Sequence, residues 1–212
     1  MAQLFLIHPD NPQLRLVRQA AEIVREGGVI VYPTDSCYAL GCRVGDKAAM
    51  ERIRAIRQRD SSHRMTLVCR DLAEIARYAR VDNRRYRMLK AATPGSFTFI
   101  LEATREVPKR LQHPKRKTIG LRIPDHRIAQ ELLKELDEPM LSTTLILPGD
   151  DRPMNDAMAI RERLERHVDL IVDAGPCGIE MTTIVDLTGE VPVVLRQGKG
   201  NPAQFRQAPD GI

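Results

Sequence analysis

Val29-Ile30-Val31-Tyr32-Pro33-Thr34-Asp35-Ser36-Cys37-Tyr38-Ala39-Leu40-Gly41-Cys42 is the stretch from which the architecture of this 212-residue chain follows. Its first four residues are apolar and read as a strand buried on both faces. Pro33 ends the ladder, because it has no N–H and fixes φ. Thr34, Asp35 and Ser36 then place three small polar groups in a row, and the chain turns apolar again at residues 37–40. Buried hydrogen-bonding groups require partners. A polar turn can supply them from its own backbone; a ligand can supply them from outside. The remainder of the chain bears on which applies.

Upstream, residues 4–7 suggest a short strand. Asn11 and Pro12 suggest the cap and first turn of a helix carrying Leu16, Val17, Ala20, Ile23 and Val24 on one side. Gly27 and Gly28 end it. Downstream, Asp46 caps a second helix with an apolar stripe of Met50, Ile53 and Ile56. A strand is expected at 65–69, a helix from Asp71 to Tyr78, another at 83–92, and a strand at 97–101 after Pro94-Gly95. Residues 105–117 read as a loop. In 118–123, Ile119, Leu121 and Ile123 alternate with Thr118, Gly120 and Arg122, which puts Arg122 on the face opposite the isoleucines. Pro124-Asp125 opens a further helix. Residues 140–147 are apolar with Ser142, Thr143 and Thr144 inserted. A helix at 156–167, a strand at 169–172 and a hairpin joining 183–187 to 193–196 complete the chain. Strands interleaved with helices predict an α/β fold: a single domain over 1–205 with an open, twisted mixed sheet, followed by a tail at 206–212.

Composition narrows the function. No apolar run approaches the roughly 18 residues of a membrane span, and the N-terminus shows no signal-peptide pattern, so a cytoplasmic protein is expected. Four cysteines lack paired metal spacing, and reduced, mostly buried thiols are the expected state, with no resident metal site. Phosphate-loop, nucleophile-elbow and zinc-protease motifs are absent, which disfavours covalent catalysis. The net charge of +5 is unevenly spread. Arg105, Lys109, Arg110, Lys115, Arg116, Lys117 and Arg122 face a single acid, Glu106, and a second group of five arginines lies between Arg52 and Arg64. Such clusters suit a phosphate-bearing partner. Hydroxyls and arginines also recur at strand ends, where open α/β sheets form crevices. Those groups suit chemistry by positioning and charge neutralisation.

Five blocks carry a resemblance. The stretch 32–42 resembles the Y-P-T-acid-S/T-x-Y-G-L-G block of the YrdC/YciO-like proteins. Residues 94–101, 118–126, 181–187 and 194–198 are similar, in order, to that family's P-G-x-x-T, T-x-G-x-R-x-P, S-T-x-x-D and L-R-x-G segments. The resemblance implies an open YrdC-like fold with a basic concave face. It also implies threonylcarbamoyl-AMP synthase chemistry, in which L-threonine, bicarbonate and ATP (with Mg2+) give threonylcarbamoyl-AMP and pyrophosphate for adenosine modification in tRNA. Carried over by position, Thr34, Arg122 and Thr182 would bind threonine. Arg57, Arg59, Thr118, Thr144 and Arg196 would face the nucleotide. Arg105, Lys109, Arg110, Lys115, Arg116 and Lys117 would contact RNA, whether tRNA or double-stranded RNA. Three departures resemble the YciO branch: Arg57-Gln58-Arg59 replaces K-x-R, Ile146 stands where the synthases have asparagine, and Cys69 stands where histidine is common. A module that binds RNA without turnover is the alternative expectation.

Overall fold

The computed structural model describes residues 1–58 and 65–205. Arg59 and the 206–212 tail therefore lie outside the described residues. The described residues form one ten-stranded mixed sheet with six α-helices. In order the elements are β1 (Gln3–Leu6), α1 (Leu14–Arg25), β2 (Ile30–Tyr32), β3 (Ala39–Arg43), α2 (Lys47–Arg57), β4 (Thr66–Val68), α3 (Leu72–Tyr78), α4 (Asn83–Ala92), β5 (Phe97–Glu102), β6 (Thr118–Arg122), α5 (Arg127–Leu136), β7 (Met140–Thr144), α6 (Ala157–Leu164), β8 (Leu170–Asp173), β9 (Thr183–Asp186) and β10 (Val193–Arg196). Across the sheet they run β1-β8-β2-β3-β7-β4-β6-β5-β9-β10.

The opening stretch sets this order. β2 is buried at all three positions, and the apolar residues after its polar turn form β3, which folds back antiparallel with Val31 opposite Leu40. β7 then lies antiparallel on β3, placing Ser142 opposite Gly41. Gly41 is required there: a Cβ would sit 2.8 Å from the Tyr32 ring. The space it leaves admits the ring, whose hydroxyl donates to Ser142 Oγ at 2.8 Å, while Ser142 donates to the Leu40 carbonyl at 2.9 Å. Burial pushes the Tyr32 phenol up to about 12, so it stays a neutral donor.

The sheet separates two cores. On one side, α2, α3, α4 and α6 pack on Val31, Leu40, Leu67, Phe99, Leu121 and Leu141. On the other, α1 and α5 pack on each other and on Ile30, Tyr32, Met140, Leu170 and Val172. The alternation in β6 falls as expected, with Ile119, Leu121 and Ile123 in the first core. Thr66, Thr98, Arg122 and Ile184 share the opposite side, beyond the reach of α1 and α5, and there they line a cavity.

Asp46, Asp71, Asp82 and Asp156 cap their helices through side-chain oxygens, each accepting an amide three residues on. Two helix starts differ from expectation. Gln13, not Asn11, is the N-cap residue of α1, and His126 rather than Pro124-Asp125 precedes α5; neither makes a side-chain cap bond. The first helical bonds fall there: the Leu16 and Val17 amides donate to the Gln13 carbonyl, and the Gln130 amide to the His126 carbonyl. The 105–117 segment contains a short 3-10 turn, Lys109–Leu111. Among the described residues no helix is long and apolar enough to cross a membrane. Cys37, Cys42 and Cys69 are buried free thiols, and Cys177 is half-buried.

Candidate functional site

The cavity holds about 160 Å3 and opens between the β2–β3 turn, the C-terminal ends of β6 and β7, and the β9–β10 hairpin. Six of the expected site residues line it: Thr34, Arg57, Arg122, Thr144, Thr182 and Arg196. Thr118 is buried on β6, two positions before Gly120, and is not among the lining residues.

Local structure positions each group. Thr34 Oγ1 donates to the Cys37 carbonyl at 2.6 Å and accepts the Ser36 and Cys37 amides at 3.2 Å. Thr34 therefore braces its own turn, as a polar turn does, while also facing the cavity. Ser36 Oγ lies 3.1 Å from it. The turn is covered from above: a Cβ on Gly178 would sit 2.4 Å from the Ser36 carbonyl, so glycine there lets the 174–182 segment cross closely.

Arg122 reaches the turn from β6. Its Nη2 donates to Asp35 Oδ1, and its Nη1 lies 3.3 Å from Ser36 Oγ. Both side chains of the pair are about one-tenth exposed, 10% and 8%. Asp35 Oδ2 accepts Ser96 Oγ at 2.5 Å, and the Lys199 ammonium donates to the Asp35 carbonyl. Arg122 Nε is buried and has no hydrogen-bond partner among the described residues.

Arg57, at the end of α2, donates through Nη1 to Thr143 Oγ1 at 2.8 Å and to the Thr144 carbonyl, fixing the exit of β7. Arg196 grips the opposite wall, with Nε and Nη2 donating to the Thr182 carbonyl at 3.1 and 2.9 Å. Burial lowers its pKa. Thr182 Oγ1 lies 2.9 Å from Thr98 Oγ1. Three guanidinium groups against one carboxylate leave the cavity cationic, so an anion with hydrogen-bonding substituents is the ligand class it suits. Ile146 lines the wall with a hydrocarbon. Cys69 is wholly buried in the first core, its amide donating to the Arg122 carbonyl at 2.8 Å. Beside the site, burial lowers the His126 pKa and raises that of Cys37, so both stay uncharged near neutrality.

Asp35 and Ser96 were not singled out as site residues by sequence reading. Asp35 stood in the polar triplet, but its partner, Arg122, is far away in sequence and close only through the β4–β6 pairing. The basic clusters divide. Between Arg52 and Arg64, Arg52 pairs with Asp169, Arg54 with Glu51, and Arg57 lies in the cavity. Between Arg105 and Arg122, Arg116 pairs with Asp186 and Arg110 donates to the Gly45 carbonyl. Arg105, Lys109, Lys115 and Lys117 form no ion pair among the described residues. This loop leaves the end of β5 and enters the start of β6, the end of the strand opposite Arg122.

The described residues thus form an α/β protein with a mixed ten-stranded sheet and a cationic, hydroxyl-lined hollow. The chain belongs to the Sua5/YciO/YrdC family: that family's model, described as telomere recombination, matches residues 22–198. It is 57% identical to YciO of Escherichia coli (strain K12) over 205 residues, covering 97% of this chain and all of the relative. The crystal structure of E. coli YciO superposes with a TM-score of 0.93. More distantly, the threonylcarbamoyl-AMP synthase of Chromobacterium violaceum is 35% identical over 137 residues, 64% of this chain and 70% of the relative. The crystal structure of P. abyssi Sua5 complexed with L-threonine matches with a TM-score of 0.83 and 25% identity, covering 92% of this chain and 57% of that one.

Proposed function

We propose that the chain is a nucleotidyltransferase-type enzyme that binds L-threonine and ATP and forms threonylcarbamoyl-AMP. The supporting observation is the convergence of Arg57, Arg122 and Arg196 with Thr34, Thr144 and Thr182 on one cavity. In this reading Arg122 takes the threonine carboxylate as a fork, and Thr34 and Thr182 flank the amino acid. Arg57, Thr144 and Arg196 face the phosphates. ATP enters with Mg2+.

The threonine amine attacks the bicarbonate carbon, and water departs to leave an N-carboxy group. An oxygen of that group then attacks the α-phosphorus of ATP, the bond to the β-phosphate breaks, and pyrophosphate leaves. No protein nucleophile is needed. The cavity's work is to hold two anions together and neutralise charge as it moves onto the leaving group. Arg57 supports this mainly by bracing the 143–144 wall. With Ile146, one hydrogen bond present in the synthases is absent, worth about 1–3 kcal/mol if its partner stays buried.

The test is incubation with threonine, bicarbonate and MgATP, with the C. violaceum synthase run alongside. Pyrophosphate and threonylcarbamoyl-AMP that depend on all three substrates are expected; no product from this chain beside an active control contradicts the reading.

RNA is the proposed macromolecular partner, in the cytoplasm, through the cations of the 105–117 loop that form no ion pair among the described residues. Replacing Lys109, Lys115 and Lys117 by alanine should make the dependence of log affinity on log salt shallower by roughly 2–3, measured by filter binding with tRNA and with double-stranded RNA. An unchanged slope contradicts this interface.

A further inference from the structure

The most informative contact in the cavity is one the proposed reaction does not use. Arg122, the group assigned above to the substrate carboxylate, is already bonded to a carboxylate of its own chain. A guanidinium presents two neighbouring donors, Nε–H and Nη2–H, spaced to receive both oxygens of one carboxylate. Asp35 uses that edge incompletely. Oδ1 takes Nη2, Oδ2 is committed to Ser96, and Nε–H is left buried without an acceptor among the described residues. A buried donor without a partner is costly, so the internal pair is a poorer match than a carboxylate with two free oxygens.

We propose that Asp35 is a resident carboxylate: in the empty chain it holds Arg122 in place, and it yields the side-on edge of the guanidinium to the carboxylate of an incoming amino acid. This rests on the threonine reading for the natural ligand but not for its mechanism. Release does not strand Asp35, because the Arg122 charge stays beside it, Ser96 stays on Oδ2 and Lys199 binds the same turn through the Asp35 carbonyl. Little backbone movement is needed, since Thr34 fixes the turn independently of Arg122. Every carboxylate ligand therefore meets the same opposing cost, which reduces its apparent affinity. A bare carboxylate has nothing with which to offset that cost. An amino acid whose hydroxyl and amine meet the cavity hydroxyls does, so Asp35 sets the strength of interaction that a carboxylate ligand must exceed to bind.

The experiment combines calorimetry with proton–nitrogen NMR of the Arg122 side chain, on the wild type and on Asp35→Asn, titrating L-threonine and, as a minimal probe, acetate. Asparagine keeps the shape and removes the charge from the internal bond. Asp35→Asn should bind both ligands roughly tenfold more tightly, with the ratio of the two affinities unchanged, because the cost removed is common to both. In the wild type, the Arg122 Nε–H resonance should move downfield as ligand is added, since that donor acquires its first acceptor. Weaker binding by Asp35→Asn, or an Nε–H resonance that does not move on saturation, overturns the proposal. The wild-type resonance decides even if the variant fails to fold. Tighter acetate binding with no threonine binding by either protein retains the resident carboxylate and removes the threonine reading. Absence of binding by either ligand to either protein overturns both.

Discussion

Replacing Arg122 with alanine should lower the free energy of unfolding by about 3–5 kcal/mol and abolish carboxylate binding. The stability loss follows from burial. Asp35 and Arg122 expose only 8% and 10% of their side chains, so removal of the arginine leaves a carboxylate bonded to the Ser96 hydroxyl in place of an opposite charge. Urea unfolding of the single variants and of the double variant Asp35→Asn/Arg122→Ala measures the coupling. Because removing both charges avoids the stranded carboxylate, the double variant should recover about half of the loss or more. Arg122→Lys should keep part of the stability but not ligand affinity, because a point ammonium cannot serve Asp35, Ser36 and a forked carboxylate together. An Arg122→Ala stability within about 0.5 kcal/mol of wild type, the range of ordinary surface changes, contradicts this view of the site.

The second large effect is expected at Gly198. A Cβ there would meet the Met181 carbonyl oxygen at 2.1 Å and the Thr182 carbonyl oxygen at 2.8 Å. Both obstacles are backbone, so no side-chain rotation relieves the clash. The Thr182 carbonyl is also the acceptor that fixes Arg196, and the Gly198 amide donates to Thr183 Oγ1 at 2.9 Å. Gly198→Ala should therefore cost about 3 kcal/mol, at the upper end of overpacking, and should displace Thr182 and Arg196 together. Reduced nucleotide affinity accompanied by a lower denaturation midpoint is the expected result. A variant of wild-type stability and affinity would mean that this wall of the cavity is not as rigid as described. By contrast, Gly189 has ample space and a tip position in the hairpin, so an alanine there serves as the control.

Local chemistry made much of this fold readable. Aspartate caps, the alternation in β6 and the glycines ending α1 are all determined within a few residues, and they stand where the spacing put them. Partners across the sheet are a different matter. Nothing near Asp35 announces Arg122, and Ser96 reaches it only because β5 and β6 lie side by side. Likewise, the charge of 52–57 looked like a free cationic track until the fold placed Asp169 beside Arg52 and the 143–144 wall beside Arg57. The site residues that sequence could nominate were those whose types repeat at strand ends; the ones it could not were the acids that neutralise them.

The central claim is that one cavity holds an amino-acid carboxylate on Arg122 while a nucleotide occupies the adjoining wall. Calorimetric titration of AMP into the protein with and without saturating L-threonine tests it most directly. Saturable binding of each ligand, with the affinity of one altered by the other and threonine binding lost in Arg122→Ala, is the predicted result. No measurable heat from either ligand, or threonine binding that survives unchanged in Arg122→Ala, would contradict it.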